Sequence, residues 1–136
     1  MNASANVHDL IITDEDLRRL LPVLNTYDSP ASEQLEGELQ RATVVEQRSA
    51  PPDVVTMNSE VVYEDHTSGT RRTVRVVYPR DADASRGWIS VLAPIGSALL
   101  GLRVGPSIAW QLPSGPRRIS VIELRYQPEA SGELHL

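Results

Sequence analysis

The periodicity of this chain changes at Ser49-Ala50-Pro51-Pro52. Before that segment apolar residues recur at helical spacing; after it they gather in short β-branched runs. Two adjacent prolines remove two backbone donors and favour extended backbone, so neither a helix nor a central strand is expected to run through them. The segment reads as a stiff linker. It divides the chain into a helical unit, residues 1–49, and a sheet-forming unit, residues 50–136.

In the helical unit, Thr13 followed by Asp14, Glu15 and Asp16 reads as a helix start: a capping hydroxyl, then three carboxylates at the positive end of the helix dipole. Leu17, Leu20, Leu21 and Leu24 then form one apolar stripe. Pro22 is expected to end or kink this helix near Leu21. Asn25 to Ser29 reads as a turn, and Ser29-Pro30 as a cap with proline in the first helical position. Ala31, Leu35, Leu39 and Ala42 share one face of a second helix of at most about 16 residues, or about 24 Å. Two facing leucine stripes predict a short antiparallel hairpin, a small coiled coil that depends on the second unit for stability.

In the second unit, Val61-Val62-Tyr63 and Thr73 to Tyr78 flank Thr67-Ser68-Gly69 and predict a β-hairpin. Trp88 to Leu92 reads as a strand, and Pro94 to Leu100 as a short helix opened by proline and closed by Gly101. Ile108 to Leu112 and Ile119 to Tyr126 read as strands around Pro113-Ser114-Gly115-Pro116. The fold class is α+β: a helical hairpin, then an antiparallel sheet with one short helix.

Composition removes several functional classes. The 136 residues include no cysteine, and all 13 basic residues are arginine. Disulfides, thiolate metal sites, Schiff-base lysines and P-loop lysines are therefore absent. His8, His66 and His135 are too scattered to form a cluster by sequence. Residues 1–50 carry nine acidic and four basic groups, whereas residues 51–136 carry nine of each. The net charge of −5 thus lies in the first part, and independent nucleic-acid binding is not expected. Arg71, Arg72 and Arg75, with Arg117 and Arg118, read as solvated strand edges. No apolar run is long enough for a membrane span, and Met1 to His8 does not have the pattern of a secretory leader. The expectation is a cytoplasmic, monomeric protein without a cofactor.

The stretch from Trp88 through Ala93-Pro94 to Leu99-Leu100-Gly101 resembles the signature of the Gre transcript-cleavage factors. Val104-Gly105, Trp110, Pro113-x-Gly115 and Ile119 to Tyr126 follow in the family's order, and Val55 to Val61 fits its first strand. Asp53-Val54-Val55-Thr56-Met57-Asn58-Ser59, the Ala93-Pro94 form of the loop, and Tyr126-Gln127-Pro128-Glu129-Ala130 bring the chain closer to the regulator of nucleoside diphosphate kinase family. That resemblance covers residues 53–132.

The resemblance implies an FKBP-like second unit that docks on RNA polymerase at the rim of the secondary channel, with the hairpin pointing toward that channel. It places partner contacts at Leu92, Ala93, Pro94, Ile95 and Leu99. Some Gre members read Asp-Ser-Pro at this loop. Only the proline is kept here, which favours apolar contacts. Gre factors also carry a pair of carboxylates at the hairpin tip that can hold magnesium. The tip here is Tyr27, Asp28 and Ser29, and the residue three beyond Asp28 is Ala31. A single carboxylate is a poor magnesium site, so Asp28 reads as a turn residue and no catalytic or metal residue is assigned. Prolyl isomerisation, the other activity an FKBP-like fold brings to mind, is not expected: there is no phenylalanine, and Trp88 and Trp110 read as core or rim residues. The expected function is a non-enzymatic, polymerase-binding regulator that competes with Gre factors. The alternatives are a weak cleavage factor and a general protein-interaction module.

Overall fold

A computed structural model describes residues 10–112 and 115–134. Its elements run β1 (Ile11–Thr13), α1 (Asp14–Thr26), α2 (Pro30–Gln40), β2 (Thr43–Val45), β3 (Glu60–Asp65), β4 (Thr70–Val77), β5 (Trp88–Ser90), α3 (Pro94–Leu99), β6 (Ser107–Leu112) and β7 (Gly115–Tyr126). The α+β class and the two-helix hairpin agree with the reading from sequence. His8, His135 and the Pro113-Ser114 half of the expected turn lie outside the described residues. No helix among the described residues is long and apolar enough to cross a membrane.

The helix starts form as their residues dictate. The Thr13 hydroxyl accepts a 3.0 Å hydrogen bond from the Asp16 amide, and the Ser29 hydroxyl accepts one of 3.2 Å from the Ser32 amide. The expected stop at Pro22 does not occur: α1 continues to Thr26. Proline inside a helix costs about 3 kcal/mol. Here Leu20 and Leu24 are buried on either side of it, and burying two leucines contributes about 3–6 kcal/mol. Pro22 itself is exposed. Leu21 lies outside the stripe, 45% exposed. Helix α2 has 11 residues, within the expected limit, and ends at Gln40 with Arg41 as its C-cap.

Two further features differ from the sequence reading. β1 and β2, three residues each, pair in parallel at the foot of the hairpin, Ile11 opposite Thr43. The main sheet is mixed rather than antiparallel, in the order β5-β4-β3-β7-β6, because β5 runs parallel to β4. The strand expected near Val55 begins only at Glu60. The prolines do not form a free, extended spacer: the Pro51 carbonyl accepts from the Val54 amide at 3.2 Å and from the Gln127 side chain at 2.8 Å.

One core spans the sequence. Leu20, Leu24, Leu35 and Leu39 of the hairpin join Val55, Met57, Val76, Leu99, Ile119 and Val121 in a single buried cluster. Backbone bonds reinforce this packing. The Ile11 amide donates to the Gly101 carbonyl at 3.2 Å, and the Gly101 amide donates to the Val55 carbonyl at 2.9 Å. Gly101 holds φ +87°, and a Cβ there would lie 3.2 Å from the Ile11 carbonyl oxygen, so both its conformation and its neighbours call for glycine.

Candidate functional site

The expected docking loop is built between β5 and α3. The Ser90 carbonyl accepts from the Ala93 amide at 2.9 Å, and the Ser90 hydroxyl accepts from the Leu92 amide at 3.0 Å. One residue thereby folds the chain back on itself. The Val91 side chain is wholly buried beneath the turn, and its amide donates to the Val77 carbonyl at 2.8 Å. Pro94 opens α3 with its fixed φ, where the missing N–H would have had no helical partner. Gly96 completes the turn by close approach. A Cβ at that position would stand 2.1 Å from the Ser90 carbonyl oxygen, a distance no side chain can occupy.

The five loop residues named from sequence fall into two groups. Pro94 is exposed, and Leu92, Ala93 and Ile95 are half-buried, so these four form an apolar surface around one turn. Leu99 is 0% exposed. It therefore offers no surface to a partner, and its part is to anchor α3 in the core. Leu92 and Ile95 also pack against the core, which holds the loop in one shape. No charged side chain stands from residue 87 to residue 102.

At the other end of the molecule, the hairpin tip is a tight turn. The Ser32 hydroxyl donates to the Tyr27 carbonyl, and Ser29 caps α2. Tyr27 is 45% exposed, and Asp28 is exposed beside it. Ala31 occupies the position three beyond Asp28, and no group of three or more metal-ligating side chains gathers among the described residues. Eleven residues of α2 span about 16 Å.

The arginines singled out from sequence are mostly engaged within the protein. Arg71 Nε lies 2.9 Å from Glu64, and Arg117 Nη1 lies 2.7 Å from Asp65. Arg75 lies over the rings of both Trp88 and Tyr126, at 5.5 and 4.9 Å, while Arg86 covers Trp88 at 5.0 Å. Trp88 is thus a sheet-face residue held by two guanidinium groups, and Trp110 belongs to the core.

Sequence reasoning missed one polar centre. Asp16, in the first turn of α1, is 1% exposed, and its carboxylate accepts a 3.0 Å hydrogen bond from the Met57 amide. Burial pushes its pKa up to about 7, with the Glu129 carboxylate adding to the effect; the Met57 hydrogen bond and Arg19 oppose it. Among three consecutive acidic residues, only its helical register with Leu20 and Leu24 distinguished Asp16 as inward-facing.

Residues 50–126 match the family model "Transcription elongation factor, GreA/GreB, C-term", and residues 9–45 match "Rnk N-terminus". The chain is 44% identical over 128 residues to the Regulator of nucleoside diphosphate kinase of Escherichia coli (strain K12), covering 91% of this chain and 94% of that one. It is 33% identical over 95 residues to Transcription elongation factor GreA of Trichlorobacter lovleyi, covering 70% of this chain and 60% of that factor. Among solved structures it is similar to a prokaryotic transcription elongation factor GreA/GreB from Nitrosomonas europaea, with TM-score 0.71 and 42% identity, covering 88% of this chain and 99% of that one.

Proposed function

Because this chain belongs to the regulator of nucleoside diphosphate kinase family and carries the C-terminal domain of the GreA/GreB elongation factors, we propose that it is a non-enzymatic transcription regulator that binds RNA polymerase. In this reading, Leu92, Ala93, Pro94 and Ile95 dock at the rim of the secondary channel, and the hairpin of residues 1–49 is carried on the unit of residues 50–136. The protein then occupies the site that Gre factors use and excludes them by mass action.

The observation that carries this reading is the contrast between the two ends of the molecule. The loop before α3 is pre-shaped and apolar, held by Ser90 and by the close approach of Gly96. A surface already in its bound form loses little entropy on docking. The tip offers Asp28 without a second carboxylate three residues on. Retained docking without a metal-holding pair describes a competitor rather than a cleavage factor.

Titration of Gre-stimulated transcript cleavage with this protein tests the proposal. Cleavage is expected to fall as the protein is added and to recover with excess Gre factor. Simultaneous binding of both proteins to one polymerase, with cleavage undiminished, would refute competition and leave only docking.

A further inference from the structure

A cleft of about 540 Å³ opens between the outer face of α1 and the chain that leaves β4. Nothing in the docking reading uses it. Arg19, Val23 and Tyr27 line one wall, at helical spacing on α1; Tyr78, Arg80 and Asp81 line the other, and Asn58 lies between them. The polar lining carries two guanidinium groups against one carboxylate, in a chain whose net charge is −5.

Two local features mark the cleft as more than a surface furrow. Tyr78 is 7% exposed, and its hydroxyl, shut away from solvent beside the Arg19 guanidinium, makes no hydrogen bond of good geometry among the described residues. A buried phenol left unpaired is costly, and native structures keep such groups where something else satisfies them. Asn58 holds a left-handed backbone, φ 69°, the single non-glycine residue to do so among the described residues. Such conformations gather at functional sites. Asn58 also stands in the segment Asp53 to Ser59, part of the resemblance noted from sequence but with no role in docking.

The remaining lining is two prolines and Thr26. Pro22 and Pro79 face the cleft from the two walls, with the exposed Tyr27 ring at one end. We propose that this cleft binds a small organic anion, a phosphate- or carboxylate-bearing molecule with a planar apolar body. Arg19 and Arg80 receive the anionic head, the buried Tyr78 hydroxyl backs the Arg19 guanidinium, and the proline and tyrosine rings take the body. Arg19 is tied through Nε to Glu15 at 2.9 Å, and its guanidinium also lies beside the Tyr78 hydroxyl. A ligand seated there touches both α1 and the end of β4, and so stabilises the hairpin against the sheet.

The test uses the full chain, with phenyl phosphate, benzoate and inorganic phosphate as probes, followed by amide chemical shifts. Saturable shifts confined to residues 19–27, 58 and 78–81 are expected with phenyl phosphate, benzoate or both. Which of the two binds more tightly identifies the head group as phosphate or carboxylate. Competition by inorganic phosphate supports recognition of the head. Tyr78→Phe and Arg80→Gln each remove one contact to a charged group and are expected to weaken binding about tenfold. Neither is expected to unfold the protein: the phenol is unpaired, and the Arg80 side chain is 81% exposed. If neither phenyl phosphate nor benzoate binds saturably, or if both variants bind as the parent does, the proposal is overturned.

Discussion

The Asp16 carboxylate and the Met57 amide meet at 3.0 Å, joining the first turn of α1 to the segment that precedes β3. The contact lies inside the protein, at a residue 1% exposed. Its energetic sign depends on protonation, because burial penalises the ionised form while the amide favours it.

Stability should therefore fall as pH rises from about 4 to about 7. Asp16 titrates at about 7 in the folded chain against 3.8 as its ordinary value. Between those values the native state holds the proton that the unfolded state has lost, so each rise in pH favours unfolding, by roughly 1 kcal/mol per pH unit. The slope should level off above pH 7. Asp16→Asn keeps an oxygen for the Met57 amide and removes the titration, so its denaturation midpoint should depend less on pH from 4 to 7. Parallel pH profiles for parent and variant would show that Asp16 carries no such linkage.

The loop contacts are tested by Pro94→Asp and Leu92→Asp. Aspartate at the first position of α3 is compatible with the helix dipole, so Pro94→Asp should fold as the parent does while placing a charge on the apolar surface. Polymerase affinity should drop by at least about tenfold, as expected when a charge is buried at the centre of an apolar contact. Leu92→Asp should act in the same direction with some loss of stability, since Leu92 also touches the core. Unchanged binding by folded Pro94→Asp protein would remove the loop from the interface.

At Gly96 the expectation concerns shape rather than chemistry. Gly96→Ala places a methyl 2.1 Å from the Ser90 carbonyl oxygen, which the backbone relieves only by opening the turn. Overpacking of this kind costs about 1–3 kcal/mol. Urea denaturation should register that loss, and polymerase binding should fall although no contacting side chain has changed. A stable variant with full binding would contradict the pre-shaped loop.

Leu20→Ala measures how far the hairpin depends on the rest of the chain. Leu20 is 0% exposed within the shared core, so its truncation should cost about 2–5 kcal/mol. Because the core is continuous, the unfolding transition should move as a whole, with hairpin and sheet signals coinciding. Early loss of helical signal alone would indicate that the hairpin melts separately.

Asp28→Ala should leave both polymerase binding and Gre inhibition unchanged, and the parent protein should not stimulate magnesium-dependent cleavage in stalled complexes. Cleavage by the purified parent that disappears in Asp28→Ala is the result that would restore a catalytic tip.

Much of this was legible in sequence because local chemistry decides it. Thr13, Ser29 and Pro30 form the caps their residue types favour, and Pro94 and Gly101 bracket α3. The errors share one cause: a distant partner overrode a local preference. Pro22 should end a helix, but Leu20 and Leu24 are buried against Met57 and its neighbours. Ile11-Ile12-Thr13 is too short to read as a strand without Thr43-Val44-Val45, a pairing 32 residues away. Trp88 to Ser90 read as a strand, yet nothing local sets its direction relative to β4. The loop before α3 was visible through its proline and glycine. The cleft was not, because Arg19, Asn58 and Tyr78 are brought together only by the packing of α1 on the sheet.

The foot of the hairpin has a mechanical consequence. The Thr43 amide bonds the Leu10 carbonyl at 2.8 Å, the Ile11 amide bonds the Gly101 carbonyl, and the Gly101 amide bonds the Val55 carbonyl. The hairpin is therefore a lever with its fulcrum at Gly101, just beyond the end of α3. A sideways push on Asp28 is resisted by peptide hydrogen bonds as well as by side-chain packing, and its load falls where α3 ends rather than where Pro94 begins it.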